Sequence, residues 1–465
     1  MFYKNFIPHE YQKEARAQIR LFIPFLIAQL ASTAMSTVDT IMAGWAGTVD
    51  LSGVAIGCSF YWPAYMFVAG VAYGVAPTIS HLYPQKQFRI MHQSLFNALI
   101  VVIILGIITA VILSLLHNVL YLINSDRQMV DIATSYLYFV SFSLPATAVF
   151  NALIAYVEGL SITRPALICG LIQIMLDIPL NYIFIFGKFG MPAMGGIGCG
   201  LSTCFINIIC AFGMFFYVKH SNRLKEFATT EKTNIIDKTI IKQFLKLSIP
   251  LGFSKTVEIA CFSLAAVILS PFGPTVVAAH SITLNVSSLI FMIPMCLSLT
   301  TTIRTSYAMG QKNWHRATVV CRTTIILNLT AFVVYFTTLL TLRENVAHLY
   351  TEDEKVISIA VFLLLLNCIY MLPDSLQTVI GGILQGFKDS RTILITTVFA
   401  YWIIGLPLGY MLAWGYIGTR FEAAGIWIAF IVSLSIVCLI YSSRLFYLFR
   451  YRKLPTLLAQ THNQQ

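Results

Sequence analysis

Long stretches of this chain carry no charged residue. Leu51–Gln85, Ile90–Ser125, Ile132–Val157, Phe189–Val218, Ile259–Ile303, Thr323–Leu342, Thr392–Thr419 and Ala423–Ser443 all lack Asp, Glu, Lys and Arg. A helix needs about 20 apolar residues to cross the hydrocarbon layer of a membrane. Only helices and closed barrels can do so, because no water is present there to satisfy loose backbone groups. The 45-residue window Ile259–Ile303 is interrupted by Pro271-Phe-Gly-Pro274 and so holds parts of two helices. With the segments that begin or end near a charge, the pattern predicts twelve helices, roughly 18–43, 53–80, 93–117, 130–157, 164–187, 196–218, 242–270, 276–309, 316–342, 355–385, 392–415 and 423–447. The expected fold class is an all-α integral membrane protein with twelve transmembrane helices.

Composition excludes the alternatives. Of 465 residues, 58% are hydrophobic and 11% charged, against roughly 25% charged in a soluble domain. A water-soluble enzyme, a nucleic-acid-binding protein and a disordered chain are thereby ruled out. The longest polar run, around His220–Lys242, is too short for a sizeable soluble domain. The ten cysteines lie in or beside apolar segments with no CxxC pair, so neither a disulfide framework nor a zinc site is expected. Met1–Arg20 contains Glu10, Glu14 and several bases, with no small-residue cleavage site before the first apolar run, so no cleavable signal is expected.

Lysine and arginine orient the helices. With both termini and every loop from an even to an odd helix on one side, that side holds 23 of the 30 basic residues and the other holds 5; Lys255 and Arg304 remain inside helices. By the positive-inside rule this places both termini in the cytoplasm, with the protein multi-pass in the inner (plasma) membrane. The net charge of +11 then reflects basic loops facing anionic membrane lipid rather than nucleic acid.

The sequence also repeats itself. Ile23-Pro24 recurs as Ile249-Pro250 and Gly47 as Gly273, both at an offset of 226; Pro145 recurs as Pro373 at 228; Gly159-x4-Arg164 recurs as Gly386-x4-Arg391 at 227; Pro179-Leu-Asn-Tyr182-x4-Gly187 recurs as Pro407-Leu-Gly-Tyr410-x4-Gly415 at 228. Two six-helix lobes are expected, 1–218 and 242–450, joined by a basic cytoplasmic linker at 219–241 and followed by a cytoplasmic tail at 451–465. Six is an even number, so the repeats run parallel, with the binding site expected between them.

Ionisable groups inside a span cost roughly 2.5–3.5 kcal/mol on insertion scales and tend to mark function. Four carboxylates fall well inside predicted helices: Asp39, Asp177, Glu258 and Asp374. Asp39 ends a stripe with Ser32 and Ser36; it either binds a cation or snorkels to the outer surface. Asp177 lies on the polar face Gln173-x3-Asp177-x3-Asn181 beside Pro179, as a cation ligand or an interhelical contact. Glu258 follows Pro250 in mid-helix. Asp374 follows Pro373, with Tyr370 one turn before it and Gln377 on the same face; it serves a site or caps a kink. Lys255 shares a face with Glu258, pairing with it or competing with a cation for it. Arg304 is expected to snorkel. Ser281, Asn285 and Ser288, with His280 beside them, form a polar stripe facing a cavity or a neighbouring helix. Met292, Met295, Phe60, Tyr61, Trp62 and Tyr65 pack, or line a greasy cavity for flat organic cations. Gln173, Ser281, Asn285, Gln377 and Met292 are the candidate substrate-cavity residues. No Walker A, HExxH, GxSxG or GxGxxG motif stands in its required context, so no enzyme chemistry, ATP use or cofactor is expected.

Several stretches resemble the multidrug and toxic compound extrusion (MATE) family in its NorM-like branch: Thr37-Val-Asp39-Thr-Ile-Met-Ala-Gly44, Glu158-Gly-Leu-Ser161, Pro179-Leu-Asn181-Tyr182, Gly195-Gly-Ile-Gly-Cys-Gly200, Ala278-Ala-His280, Met292-Ile-Pro294 and Asp374-Ser-Leu-Gln377. They span both halves. The resemblance implies a V-shaped pair of six-helix lobes and a drug/cation antiporter. It implies that Glu258, Asp374 and Tyr370 form a second-lobe cation site, with Na+ as one occupant, and that Asp39 and Asn181 belong to a first-lobe polar site. Asp177, Ser281 and Lys255 depart from the family pattern.

The functional expectation is secondary efflux of amphipathic organic cations in exchange for Na+ or H+, by a monomer, with no nucleic-acid partner. A lipid-linked precursor flippase would want a basic cavity for pyrophosphate, whereas the buried charges here are mainly acidic. A major-facilitator metabolite carrier would carry Gly-x3-Asp-Arg-x-Gly-Arg between helices 2 and 3, where this chain reads Tyr83-Pro-Gln-Lys-Gln-Phe-Arg89.

Overall fold

The computed structural model describes residues 9–115, 127–225 and 236–451. The end of the third predicted helix (116–117), residues 226–235 of the 219–241 linker and nearly all of the 451–465 tail lie outside the described residues. Twelve helices are long and apolar enough to cross a bilayer: α1 His9–Ala46, α2 Thr48–Gln85, α3 Phe88–Leu115, α4 Arg127–Gly159, α5 Arg164–Phe186, α6 Ile197–His220, α7 Lys238–Phe272, α8 Pro274–Gly310, α9 Trp314–Tyr350, α10 Glu354–Gly386, α11 Ser390–Trp414 and α12 Ala423–Tyr451. There is no strand among the described residues. The predicted break in the long apolar window lies between α7 and α8: Gly273 adopts φ 96°, and Pro274 opens the next helix, where its missing N–H has no helical partner to lose.

The outward faces are apolar, as a lipid solvent demands. On α3, Ile103, Ile104, Ile107, Ile108, Val111, Ile112 and Leu115 are all exposed, while Val101, Val102, Gly106 and Leu113 point inward. Such a continuous apolar stripe would be an aggregation site in water; against acyl chains it is the ordinary surface, and the protein is a multi-pass membrane protein.

The chain forms two compact units. The first runs from Ile23 to Thr256; the second comprises Val257 onward together with the described residues up to Phe22. In the first, α4 is the hub, packed against α2, α3 and α6. Its neighbours approach through glycines. A Cβ on Gly57 of α2 or Gly200 of α6 would strike the Tyr136 ring of α4, and one on Gly106 of α3 would strike the Pro145 backbone. Small residues let helices pack closely where hydrocarbon offers no hydrophobic drive between them. The Gly195–Gly200 stretch serves the same end: the Gly196 N–H donates to Asp50 Oδ1 at 2.6 Å, and Gly198 abuts the backbone of Phe184 and Ile185 on α5.

In the second unit α10 is the hub, packed against α8, α9 and α12. Three hydroxyls of α8, each one turn apart, donate to carbonyls of α10: Ser298 to Thr378 at 2.8 Å, Thr302 to Gly382 at 2.9 Å and Ser306 to Gly386 at 3.0 Å. The constant separation of 80 residues means that the two helices run parallel and in step.

The unit boundaries fall inside α1 and α7, close to the kinking prolines Pro24 and Pro250. Physical contacts account for this. Arg304 of α8, expected to snorkel, instead makes a two-point ion pair with Glu14 of α1, Nε donating to Oε1 at 2.8 Å. Gln18 donates to the Val320 carbonyl at 3.2 Å and accepts from Thr324 at 3.0 Å. A buried guanidinium needs such a partner, and these bonds hold the leading turns of α1 to α8 and α9. Helix α1 thus already includes His9–Gln18, ahead of the predicted start near residue 18, and Glu14 and Gln18 are buried there. Correspondingly, Gly252 of α7 lies against Gly70 of α2, and Thr256 donates to the Pro63 carbonyl at 3.4 Å.

The hydroxyl ladder makes a testable demand at Gly382, where a Cβ would sit 2.6 Å from the Ser298 carbonyl oxygen. Gly382→Ala should lower the unfolding temperature in detergent, with an overpacking cost of about 1–3 kcal/mol. Gly213→Ala, where nothing lies within 4 Å, should be neutral or slightly stabilising. Equal melting of the two variants would contradict this account of the α8–α10 interface.

Candidate functional site

Two polar clusters stand inside the helices, one in each unit. In the first unit, α5 turns Asp177 and Asn181 to the same side, and Pro179 between them lacks the N–H that would close a helical bond to residue 175. Asn181 Nδ2 donates to Asp39 Oδ1 of α1 at 2.7 Å. Asp177 lies within electrostatic reach of Asp39. Both Asp177 carboxylate oxygens and Asn181 Oδ1 are buried and accept no hydrogen bond. Asp39, Asp177 and Asn181 are therefore brought together as an oxygen-rich cluster. Two carboxylates this close present a charge that a proton or a metal cation can offset. Gln173, one turn before Asp177, is half-buried.

Sequence reasoning missed three neighbours of this cluster. Tyr136 is wedged between Gly57 and Gly200, and its hydroxyl lies 3.3 Å from Cys58 Sγ; both groups are within reach of Asp39. Cys199 Sγ approaches the Asp39 carbonyl at 3.7 Å. Only the paired glycines hinted at Tyr136, and nothing in the sequence says which ring fills the space between them.

In the second unit, α10 carries Tyr370, Asp374 and Gln377, all buried. Gln377 Nε2 donates to Asp374 Oδ1 at 3.4 Å and to Thr378 Oγ1 at 3.1 Å; this amide thus joins the carboxylate cluster. Glu258 of α7 is half-buried. Tyr370 lies within electrostatic reach of both Glu258 and Asp374, and so does Tyr401 of α11. The structure therefore brings Glu258, Tyr370 and Asp374 to one place and adds Tyr401, which the sequence reading passed over. Tyr335 of α9 also lies near Asp374.

Trp427 of α12 closes one side, with its ring 5.3 Å from Tyr370. Its indole N–H donates to His280 Nδ1 at 3.2 Å, which fixes the neutral imidazole with its proton on Nε2. Ser281, Asn285 and Ser288 lie together on an exposed face of α8, and Asn285 Oδ1 accepts from Tyr350 at 2.7 Å. Met292, further along α8, is buried.

The MatE family model matches the chain twice, over residues 24–183 and 250–411. The starts of the two matches are 226 residues apart and the ends 228, the spacing of the internal repeat. The probable multidrug resistance protein NorM of Mannheimia succiniciproducens is 37% identical over 445 residues, spanning 94% of each chain. The multidrug resistance protein NorM of Vibrio vulnificus is 36% identical over 453 residues, 95% of this chain and 97% of its own. Among solved structures, the eukaryotic MATE transporter AtDTX14 matches with a TM-score of 0.85 at 17% identity, over 94% of this chain and 96% of that one. An outward-facing multidrug resistance MATE family transporter of the MOP superfamily gives 0.81 at 17%, over 96% and 97%. At those identities the solved structures speak for the fold, and it is that of the MATE transporters. With one family model matched in both halves and relatives more than a third identical along nearly the whole length, this chain belongs to the MatE family.

Proposed function

We propose that this chain is a multidrug efflux transporter of the inner (plasma) membrane, a carrier and not an enzyme, which exports amphipathic organic cations in exchange for inward Na+ or H+. The observation that carries this reading is the pair of carboxylate clusters inside the apolar helices, Asp39/Asp177/Asn181 and Glu258/Tyr370/Asp374, one in each unit of a chain whose relatives are named multidrug resistance proteins. A membrane protein keeps carboxylates inside its helices at a cost, and cation pathways are what such groups serve.

The chemistry of exchange follows from competition. A carboxylate cannot hold a metal ion or proton and an organic cation with full strength at once. Binding of the small ion weakens the hold on the drug, and binding of the drug weakens the hold on the ion by the same factor. One elementary charge moving through 100 mV is worth about 2.3 kcal/mol, enough to sustain roughly a fiftyfold substrate gradient. The aromatic side chains near the clusters, Tyr136 in the first and Tyr370, Tyr401 and Trp427 in the second, offer polarizable surface for flat cations. In this reading the exposed Ser281 and Asn285 and the half-buried Gln173 contact substrate, a single chain suffices as a monomer, and both termini are cytoplasmic.

The reading is tested by efflux of a fluorescent organic cation from proteoliposomes, with Na+ and pH gradients imposed separately. Efflux should respond to at least one gradient; indifference to both would overturn the antiport reading. Glu258→Gln and Asp374→Asn should each abolish gradient-driven efflux while the protein still inserts and melts as wild type. Combining them should add little, since the two act as one site. Full transport by both single variants would remove the second cluster from the mechanism.

The first cluster generates its own expectation. Asp177→Asn keeps the shape but removes one of two neighbouring charges. It should weaken ion coupling, seen as a shallower dependence of efflux on the driving gradient, with folding intact. Efflux identical to wild type under every gradient would make Asp177 a packing residue. Asn181→Leu removes the donor to Asp39 and should impair coupling more, because a hydrogen bond to a charged group is worth about 1.5–3 kcal/mol.

A further inference from the structure

Helix α11 is not α-helical throughout. Val398–Gly405 is a π-helical segment, whereas the equivalent stretch of α5 lies within a regular α-helix over Arg164–Phe186. The two are related by the repeat: Tyr401 stands 228 residues after Gln173, as Pro407 does after Pro179. A π segment is uncommon and tends to persist where function requires it.

The segment touches α7 on either side of Glu258. Trp402 Nε1 donates to the Val257 carbonyl at 3.0 Å, and Cys261 Sγ approaches the Tyr401 carbonyl at 3.9 Å. Residues 257 and 261 are one turn apart, so these contacts fix the register of α11 against the turn that carries Glu258. Gly405 closes the segment, where a Cβ would come 3.2 Å from both the Ala400 carbonyl and the Ser433 side chain of α12. Tyr401 itself is 1% exposed and lies within reach of Glu258, Tyr370 and Asp374. Its hydroxyl oxygen is fully buried and has no hydrogen-bond partner. For packing alone a phenylalanine would serve better, because it leaves no polar atom unmatched.

We propose that Tyr401 is a direct oxygen ligand of the cation held by Glu258, Asp374 and Tyr370, and that the π segment of α11 exists to present it. This rests on the antiport reading and adds one ligand, Tyr401, to its second cluster, with Na+ as the cation that the donor set suits. A proton needs one base. A hard metal cation needs several oxygens around it, of which only some should be charged. Two carboxylates already exceed the charge of Na+. Two phenols add lone pairs without adding charge, and each phenol hydrogen can turn to a carboxylate oxygen that the ion leaves free.

The test uses the full chain in proteoliposomes and in detergent, with choline replacing Na+ at constant ionic strength. Tyr401→Phe removes one oxygen and keeps the ring. The half-saturating Na+ concentration for efflux, and for Na+-dependent thermal stabilisation in an Asp39→Asn/Asp177→Asn background, should rise by about tenfold or more. The melting temperature without Na+ should not fall below the wild-type value, because the substitution removes an unmatched buried hydroxyl. Tyr370→Phe should shift Na+ dependence in the same direction. A Tyr401→Phe protein with wild-type Na+ dependence would overturn the ligand role while leaving the antiport reading intact. Wild-type protein that answers to pH gradients alone would overturn the assignment to Na+. Wild-type protein indifferent to both ions would overturn the antiport reading itself, and this proposal with it.

Discussion

A charge inside hydrocarbon must find its counterpart within the protein, because no water will supply one. That constraint organises this structure at both scales. Arg304 and Glu14 answer each other directly and thereby decide where the leading turns of α1 belong. Asp39, Asp177, Glu258 and Asp374 are instead gathered with neutral oxygens from asparagine, glutamine and tyrosine. The arginine pair is structural, since each charge cancels the other. In the carboxylate clusters the partners Asn181, Gln377 and Tyr370 are neutral amides and a phenol, not an opposite charge.

Holding such clusters requires rigid neighbours. Around α4 the rigidity comes from glycines that let Tyr136 and Pro145 press against adjacent backbones. Around α10 it comes from the three hydroxyl bonds from α8, the first of which lands on Thr378, one turn beyond Asp374. The two hubs are equivalent helices of the repeat, and both use close glycine contact; at α10, Gly382 and Gly386 lie against α8 and the hydroxyl bonds are added to that contact. Glycine contact and hydroxyl bonding each bring two helices together without a hydrophobic drive.

Much of this was legible in the sequence, for identifiable reasons. Absence of charge marks a span without any need to know its partners, so the twelve helices emerge directly, and the Pro271–Pro274 break with them. The buried carboxylates stand out because so few exist. Contacts between distant residues were not legible. Arg304 meets Glu14 across 290 residues, and local pattern suggested only a snorkelling side chain. Tyr401 lies in an apolar, charge-free window where every position looks alike, and no residue type announces a π segment. The Ser281, Asn285 and Ser288 stripe was visible as a stripe, but whether it turned inward or outward depended on packing that one helix does not encode.

The way the units are cut ties each repeat to the other. Neither sequence repeat coincides with a compact unit: the leading turns of α1 group with the later half, and those of α7 with the earlier. A cut of the chain at the basic linker would therefore part Glu14 from Arg304, Gln18 from Thr324 and Thr256 from the Pro63 carbonyl.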